Sequence, residues 1–285
     1  MNDQRSGISW NELPKFSTWP ERLLDPALES RQKNAAELSR EYEQEKWGPL
    51  LEALRGEDSG GLHLADDLTF RDCPPQPCWD HGVLRILPAL EAFDVYRTLV
   101  MGKLSAPRPG QALVELGAGY GAILLWLKQQ QDWRETPIFA GEFTASGQEL
   151  AGLIAEREGL AVTTGWCDFF DPRLTDLPVP ESSLIFTSFA MACVPELSDR
   201  FVDGMLEFRP SRVWHFEPIR EHFDRGTLTG LMQERYLAAN DYNRNLLAVL
   251  KRREAEGCIR IVSEEKCFFG LNPLIPLSSV AWEPV

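Results

Sequence analysis

The sequence predicts an α/β fold: a mostly parallel, seven-stranded sheet flanked by helices, closed by an antiparallel terminal hairpin and preceded by a helical cap. Three observations predict it. An apolar run, Ala112-Leu113-Val114, meets Glu115 and Leu116 and then a glycine-rich turn, Gly117-Ala118-Gly119-Tyr120-Gly121, before a helical pattern at Ile123-Leu124-Leu125-Trp126-Leu127. Strand-like and helix-like segments alternate from there on, which is the pattern of βαβ units. The last two strand-like runs are separated only by Gly270-Leu271-Asn272-Pro273, too short for a parallel crossover.

Taken in order, residues 1–25 mix Trp10, Phe16 and Trp19 with Pro14 and Pro20 and read as an irregular arm on a surface. Asp25-Pro26 reads as a helix start, with Asp25 as N-cap and Pro26 at the first helical position. Leu28, Ala35, Leu38, Tyr42, Leu50 and Leu54 then recur at roughly helical spacing, with a break expected at Gly48-Pro49. Residues 56–82 read as loop, because of Gly60-Gly61 and Pro74-Pro75-Gln76-Pro77. A helix is expected over 83–103, with Pro88 in its first turn. Residues 1–108 are therefore read as a mostly helical N-terminal cap, and 109–285 as the main domain. Its strands are expected at 112–116, 137–141, 161–165, 183–188, 212–217, 258–268 and 276–283. Helices are expected at 121–131, 146–158, 198–208 and, in one long piece, 226–252.

Composition bounds the function. The chain has 285 residues, a net charge of −14 and a pI near 4.8. That balance argues against nucleic acid or an anionic membrane as partner, since phosphate binders carry a basic face. No apolar run approaches a membrane span, and the N-terminal Met1-Asn2-Asp3-Gln4-Arg5 shows no secretory pattern. The six cysteines form no Cys-x-x-Cys pair, so free thiols in the cytoplasm are the expectation.

The turn carries the chemistry. Gly117-x-Gly119-x-x-Ala122 also satisfies a dinucleotide fingerprint. Glu115, however, places a carboxylate where a pyrophosphate would be repelled and a cationic ligand favoured. The string Val114-Glu115-Leu116-Gly117-Ala118-Gly119-Tyr120-Gly121 resembles the first motif of class I S-adenosylmethionine-dependent methyltransferases, and the resemblance runs from about residue 109 to the C-terminus. It implies a Rossmann-like seven-stranded sheet with a reversed hairpin, and S-adenosylmethionine as cofactor with S-adenosylhomocysteine as product. It implies a cofactor site of Glu115, Gly117, Ala118, Gly119, Tyr120 and Gly121. Glu142, ending the second strand, would take the ribose hydroxyls, with Phe143 against the adenine. Asp168, beside Phe169, would accept from the adenine amino group, with Asp171 as its competitor before Pro172. Ser188, in the loop after the fourth strand, would border the methyl group. Extensions such as the 1–108 cap either shape an acceptor pocket or only pack against the core.

There is no Asn/Asp-Pro-Pro-Tyr or Pro-Cys motif, which weighs against methylation of nucleic-acid bases, and Cys193 reads as a small buried residue. His215 and Glu217 share a face of the fifth strand. His215 is the candidate general base, with Glu217 beside it and His222 as runner-up, and the bland reading of each histidine is an interior residue. His215, Glu217, Glu221 and His222 match no metal-ligand spacing, so no metal is expected. Tyr236, Asn240 and Asn243 share a helix face that either meets an acceptor or is simply exposed.

The expected function is methyl transfer to a small-molecule acceptor, most simply a hydroxyl of a sugar, nucleoside or other natural product. The alternatives are an NAD(P)-dependent oxidoreductase and a catalytically silent binding module. A homodimer is left open.

Overall fold

In the computed structural model, residues 7–171, 173–198 and 200–285 are described. The first six residues of the expected arm, and Pro172 in the turn after Asp171, lie outside them. The strands are β1 (Gly7–Ile8), β2 (Gln76–Asp80), β3 (Val83–Leu87), β4 (Leu113–Leu116), β5 (Ile138–Glu142), β6 (Thr163–Trp166), β7 (Leu184–Ser188), β8 (Arg212–Glu217), β9 (Ile259–Gly270) and β10 (Leu277–Pro284). Among the described residues they form one sheet in the order β1-β3-β2-β9-β10-β8-β7-β4-β5-β6. The strands from β4 to β8 pair in parallel, and β10 runs antiparallel between β8 and β9. All seven strands read from the sequence are present, with the terminal hairpin reversed as expected.

Strand order reverses between β4 and β7. In an open parallel sheet, ligands bind in the crevice outside the strand ends at such a point. All four residues of β4 are buried, as a strand covered on both faces requires. Its side chains alternate between two cores: Leu113 packs with Phe186 and Phe216 on one face, Val114 and Leu116 with Ile185 and Val213 on the other.

The first 108 residues hold helices at Trp19–Leu24, Ala35–Arg40, Gly48–Arg55, Leu62–Phe70 and Ala89–Leu104, but also three strands. β2 and β3 form a hairpin, and β2 joins the main sheet through Trp79 opposite Gly270 and Asp80 opposite Phe269. The helix expected over 83–103 is thus a strand followed by a helix. Pro88 is its N-cap, not part of its first turn, because a proline there has no N–H for a helix continuing from Leu84. His81 and Gly82 both take positive φ, 46° and 92°, as a two-residue hairpin turn demands.

Asp25 caps the end of a helix and not the start of one. Its carboxylate accepts from the Ala27 N–H at 2.9 Å, and the next helix opens at Asn34, whose side chain accepts from Glu37 N–H at 2.9 Å. Gly48-Pro49 does not break the chain: a π-helical segment, Glu41–Trp47, runs straight into Gly48–Arg55. The long helix expected at 226–252 is two, Leu228–Ala239 and Leu246–Ala255. Asp241 sits at φ 50° between them, and the Asn243 side chain accepts from Asn245 N–H and Leu246 N–H at 3.1 and 2.9 Å, ending one helix and starting the next.

One ion pair ties the first segment to the glycine turn. Arg97 donates two bonds to Asp66, at 2.7 and 2.8 Å, and Tyr120 Oη donates to the same carboxylate at 2.8 Å. Asp66 is 4% exposed and Arg97 1%. Removing Asp66 leaves the buried Arg97 with only the more exposed Asp94, 3.2 Å away, as partner. Asp66→Ala should therefore lower the unfolding free energy by about 3–5 kcal/mol in urea titrations. A loss under about 1 kcal/mol, the range of exposed pairs, would show that the pair does not anchor this segment.

Candidate active site

A cavity of about 440 Å³ opens where β4, β5, β6 and β7 end. That is the size of a small-molecule site. Glu115, Gly117, Ala118, Gly119, Tyr120, Glu142, Phe143, Asp168, Phe169 and Ser188 line it, all of them candidates from the sequence. Leu38, Tyr42, Lys46, Trp47, Phe93 and Tyr96 from the first segment complete one side.

The glycine turn is built for close approach. Gly117 and Gly119 have φ of 80° and 56°, conformations that side-chain-bearing residues avoid. A Cβ on Gly117 would come within 2.2 Å of the Ala190 side chain, and one on Gly119 within 2.9 Å of Trp47. The N–H groups of Gly117 and Ala118 both donate to the Gly141 carbonyl, at 2.8 and 2.9 Å. Glu142 holds the turn from the neighbouring strand: it accepts from Gly119 N–H at 2.9 Å, and from the Thr144 N–H and hydroxyl at 3.0 and 2.8 Å. Those three bonds leave about one of its four acceptor positions for a ligand. Glu115 accepts from Leu124 N–H at 3.2 Å. Burial pushes the carboxyls of Glu115 and Glu142 above their ordinary range, and Glu142 raises Glu115 further. Among the described residues neither is in an ion pair, although Arg97 acts on Glu115 from a distance, and carboxyls so placed at a cavity wall favour a cationic ligand.

Asp168 lines the cavity, with Oδ1 accepting from Phe170 N–H at 2.8 Å. Its competitor Asp171 faces away and is engaged by Arg173 through backbone and side chain. Ser188 Oγ meets Tyr96 Oη at 2.6 Å on the wall. Gly121 is the exception in the turn. It has φ 76° but does not line the cavity, and a Cβ there would press on Leu125 at 3.0 Å, so it serves the turn-to-helix joint.

The three proposed catalytic residues do not reach the cavity. His215 is completely buried and both ring nitrogens are engaged. Trp282 Nε1–H donates to Nε2 at 3.0 Å, which puts the ring proton on Nδ1, 3.0 Å from Thr187 Oγ1. Burial pushes its pKa down to about 3. A base with no free lone pair and no path to the cavity abstracts no proton from an acceptor. His222 is also buried, paired with Glu264 at 3.0 Å, its basicity lowered by burial. Glu217 is 1% exposed and accepts from the N–H groups of Ala190, Met191 and Ala192 at 3.1, 3.2 and 3.2 Å. Burial raises its pKa to about 7. It is a positioning residue that fixes the loop after β7. The residues His215, Glu217, Glu221 and His222 do not converge, and no group of three or more metal-ligand side chains occurs among the described residues.

Tyr236, Asn240 and Asn243 are buried and structural. Asn240 donates to the Tyr236 carbonyl, Asn243 to the Val194 carbonyl, and Tyr236 Oη accepts from Asn272. Sequence reasoning missed Tyr42, Trp47 and Tyr96 on the wall, and gave Cys193 no role. Cys193 lines the cavity, with Sγ 3.2 Å from Tyr42 Oη and 3.9 Å from Lys33 Nζ. The aromatic content of the first segment was the available signal.

The lowered pKa of His215 has a definite sign. The folded chain binds fewer protons there than the unfolded chain between pH 6.5 and about 3. The stability His215 contributes is therefore whole above pH 6.5 and is lost as pH falls towards about 3. Glu217, raised, works oppositely: its contribution is whole below 4.5 and is lost as pH rises through about 7. Because the two oppose, the clean readout is NMR of the His215 ring, whose resonances should stay those of a neutral imidazole from pH 8 to pH 5. A ring that titrates near pH 6.5 contradicts the burial argument.

No family model matches the sequence, and no curated protein does. Solved structures do match. The chain is similar to magnesium protoporphyrin IX methyltransferase from Synechocystis PCC 6803, solved with bound S-adenosylhomocysteine, at 10% identity, 88% of this chain, 100% of that one and a TM-score of 0.50. It is similar to geranyl diphosphate C-methyltransferase from Streptomyces coelicolor A3(2) at 10% identity, covering 69% of this chain and 77% of that one, with a TM-score of 0.50. The likeness at this identity is one of fold: the chain has the class I methyltransferase fold, Rossmann-like and mixed α/β.

Proposed function

We propose that the chain binds S-adenosylmethionine at the glycine turn and directs methyl transfer to a small, largely apolar acceptor held under the 1–108 cap. The observation that carries the reading is the convergence of Glu115 and Glu142, both buried, on a glycine turn at the switch point of the sheet. A pyrophosphate placed there would face two carboxylates, which weighs against a nicotinamide dinucleotide. The residues fit the cationic, phosphate-free group: Gly117 and Gly119 leave a cradle without side chains, and the carboxylates oppose its positive charges. Bound there, it supplies a methyl group made electrophilic by its sulfonium.

The chain's own residues then orient and dry the site. Glu142 keeps one acceptor position for a ribose hydroxyl, Asp168 accepts from the adenine amino group, and Phe143 and Phe169 flank the base. Tyr96 and Ser188 stand on the wall beside the loop that Glu217 fixes. Leu38, Phe93, Phe189, Val194, Ile275 and Leu277 make the remaining wall apolar. That lining favours an apolar or aromatic natural product over a sugar as acceptor. His215 and His222 are withdrawn as general bases. Rate enhancement then rests on positioning the acceptor and excluding water.

Titration calorimetry tests the reading. S-adenosylmethionine and S-adenosylhomocysteine should bind and NADH should not; tight NADH binding with no adenosyl-sulfur ligand bound would end the proposal. Glu142→Ala should weaken S-adenosylhomocysteine by roughly ten- to hundredfold, since bonds to a charged acceptor are worth about 1.5–3 kcal/mol. Circular dichroism checks that the turn Glu142 also holds has survived. Unchanged affinity in a folded variant would remove Glu142 from the site.

A further inference from the structure

The cavity is electrically lopsided. Its glycine turn carries carboxylates, while the part of its wall formed by Tyr42 and Cys193 has a lysine behind it that does not itself line the cavity. The Lys33 ammonium lies 3.9 Å from Cys193 Sγ and 4.1 Å from the centre of the Tyr242 ring. Tyr42 Oη touches the same sulfur at 3.2 Å, and Tyr42, Cys193 and Phe189, which packs edge-on against Tyr242, all line the cavity.

Lys33 is half-buried, and among the described residues no carboxylate oxygen lies within ion-pair distance of its ammonium. In a chain with 43 acidic and 29 basic residues, a half-buried cation that finds no carboxylate runs against composition. Lys15, Lys46 and Lys103 each find one, and the buried Lys128 donates to the Thr136 carbonyl. Nor is Lys33 placed by accident. Its own N–H donates to Asp241 at 2.9 Å, and Arg31 N–H donates to the Ala239 carbonyl at 2.9 Å, so this stretch is fastened to the turn between the two C-terminal helices. Desolvation weakens the ammonium's hold on its proton, which an anion beside it would reverse. A buried charge is normally paired. Glu41 and Cys193 offset part of that desolvation through space, and the wall in front of the ammonium, Cys193 and Tyr42, faces the cavity.

We propose that the acceptor is an apolar monoanion, a small aromatic or branched aliphatic acid, whose carboxylate-like group lies against Tyr42 and Cys193, drawn there by the Lys33 ammonium behind that wall, while its apolar body fills the wall of Phe93, Ile275 and Leu277. This rests on the methyl-transfer reading above and names its substrate class. Two polar ends of opposite sign then orient acceptor and cofactor within one cavity. Lys46, paired with Glu41 at 2.9 Å and stacked on the Tyr42 ring, compensates the carboxylate at this rim and leaves Lys33 as the surplus positive charge.

The test is binding to the full chain saturated with S-adenosylhomocysteine, by calorimetry. The probes are benzoate, cinnamate, 3-phenylpropanoate and 4-methylpentanoate, each against its neutral amide. At least one acid should bind about fivefold or more tightly than its amide, the size of a partly screened ion pair. Lys33→Met should erase that preference while leaving amide binding unchanged, and Lys33→Arg should keep it. Thermal melting establishes that both variants fold; if Lys33→Met does not, the acid-to-amide ratio in wild type and Lys33→Arg decides. No acid preference anywhere in the panel, or a preference that survives Lys33→Met, overturns the proposal. The calorimetry also separates the two readings. If S-adenosylhomocysteine does not bind while the Lys33-dependent acid preference persists in the unloaded chain, the methyl-transfer reading falls and the anion site stands. If S-adenosylhomocysteine binds and the preference is absent, only the substrate class falls.

Discussion

A peptide turn that must offer bare backbone to a ligand has no side chains with which to hold its own shape. In this chain, the stretch from Gly117 to Gly121 contains three glycines at positive φ, closes one bond of its own from Gly121 N–H to the Ala118 carbonyl, and is otherwise held by its neighbours. The Gly141 carbonyl takes two of its N–H groups, Glu142 takes a third, Glu115 takes the N–H of Leu124 one turn further on, and Asp66 takes the Tyr120 hydroxyl. Every one of these acceptors comes from a different place in the chain from the turn it restrains, apart from Glu115. The acids at the strand ends therefore have two duties. They set the sign of the potential in the cavity, and they make the turn rigid enough for its glycines to be useful.

The same logic governs the other side of the switch point. The loop after β7 begins with Phe189 at φ 52° and continues into a short 3₁₀ turn, Met191–Cys193. Three of its N–H groups, from Ala190, Met191 and Ala192, converge on Glu217, and Glu217 is reached only because β8 lies next to β7 in the sheet. Behind it, Thr187, His215 and Trp282 form a buried hydrogen-bonded chain. A satisfied polar chain of this kind is costly to perturb and rigidifies what it touches. His215 thus belongs to the frame that presents Ser188 and Cys193 to the cavity, one shell behind the chemistry.

The parallel half of the fold and the glycine turn at its cavity were legible in the sequence because they are governed by short-range rules. Leu113 to Leu116 had to be a strand, the glycines had to turn, and Glu142 and Asp168 had to end strands whose neighbours are ordered by crossover handedness. His215 was misjudged because period-2 alternation tells which residues share a face, not whether that face opens on a cleft or on Trp282. The first segment was misread for a related reason. Val83, Leu84 and Leu87 fit a helical spacing and a strand equally well, and what decides is their hairpin pairing with β2, itself anchored through Trp79 and Asp80 to a strand about 190 residues later. Leu62, Ala65 and Asp66 were hidden by the flanking Gly60-Gly61, although the helix they start supplies the carboxylate on which Arg97 and Tyr120 converge.

That pairing also limits how the cap can move. β2 is hydrogen-bonded into the main sheet, and the helices Leu62–Phe70 and Ala89–Leu104 are joined by the buried Asp66–Arg97 pair, which in turn holds Tyr120. A rigid swing of all 108 residues would break the sheet and expose that ion pair together. Ala35–Arg40 and the π-helix Glu41–Trp47 share in neither constraint; Glu43, which accepts from Ser146 N–H at 3.2 Å, fastens them instead, and they carry Leu38, Tyr42, Lys46 and Trp47 to the cavity wall. A π-helix has poorer packing and hydrogen bonding than the α-helices flanking it and recurs at functional positions. Its last residue rests on Gly119 and leaves its indole N–H buried without a partner, a cost that a closed, well-satisfied wall would not retain. Trp47 is therefore the point where the wall over the glycine turn is incompletely satisfied, while β2 and the Asp66–Arg97 pair fasten the neighbouring parts of the first segment to the sheet and the turn.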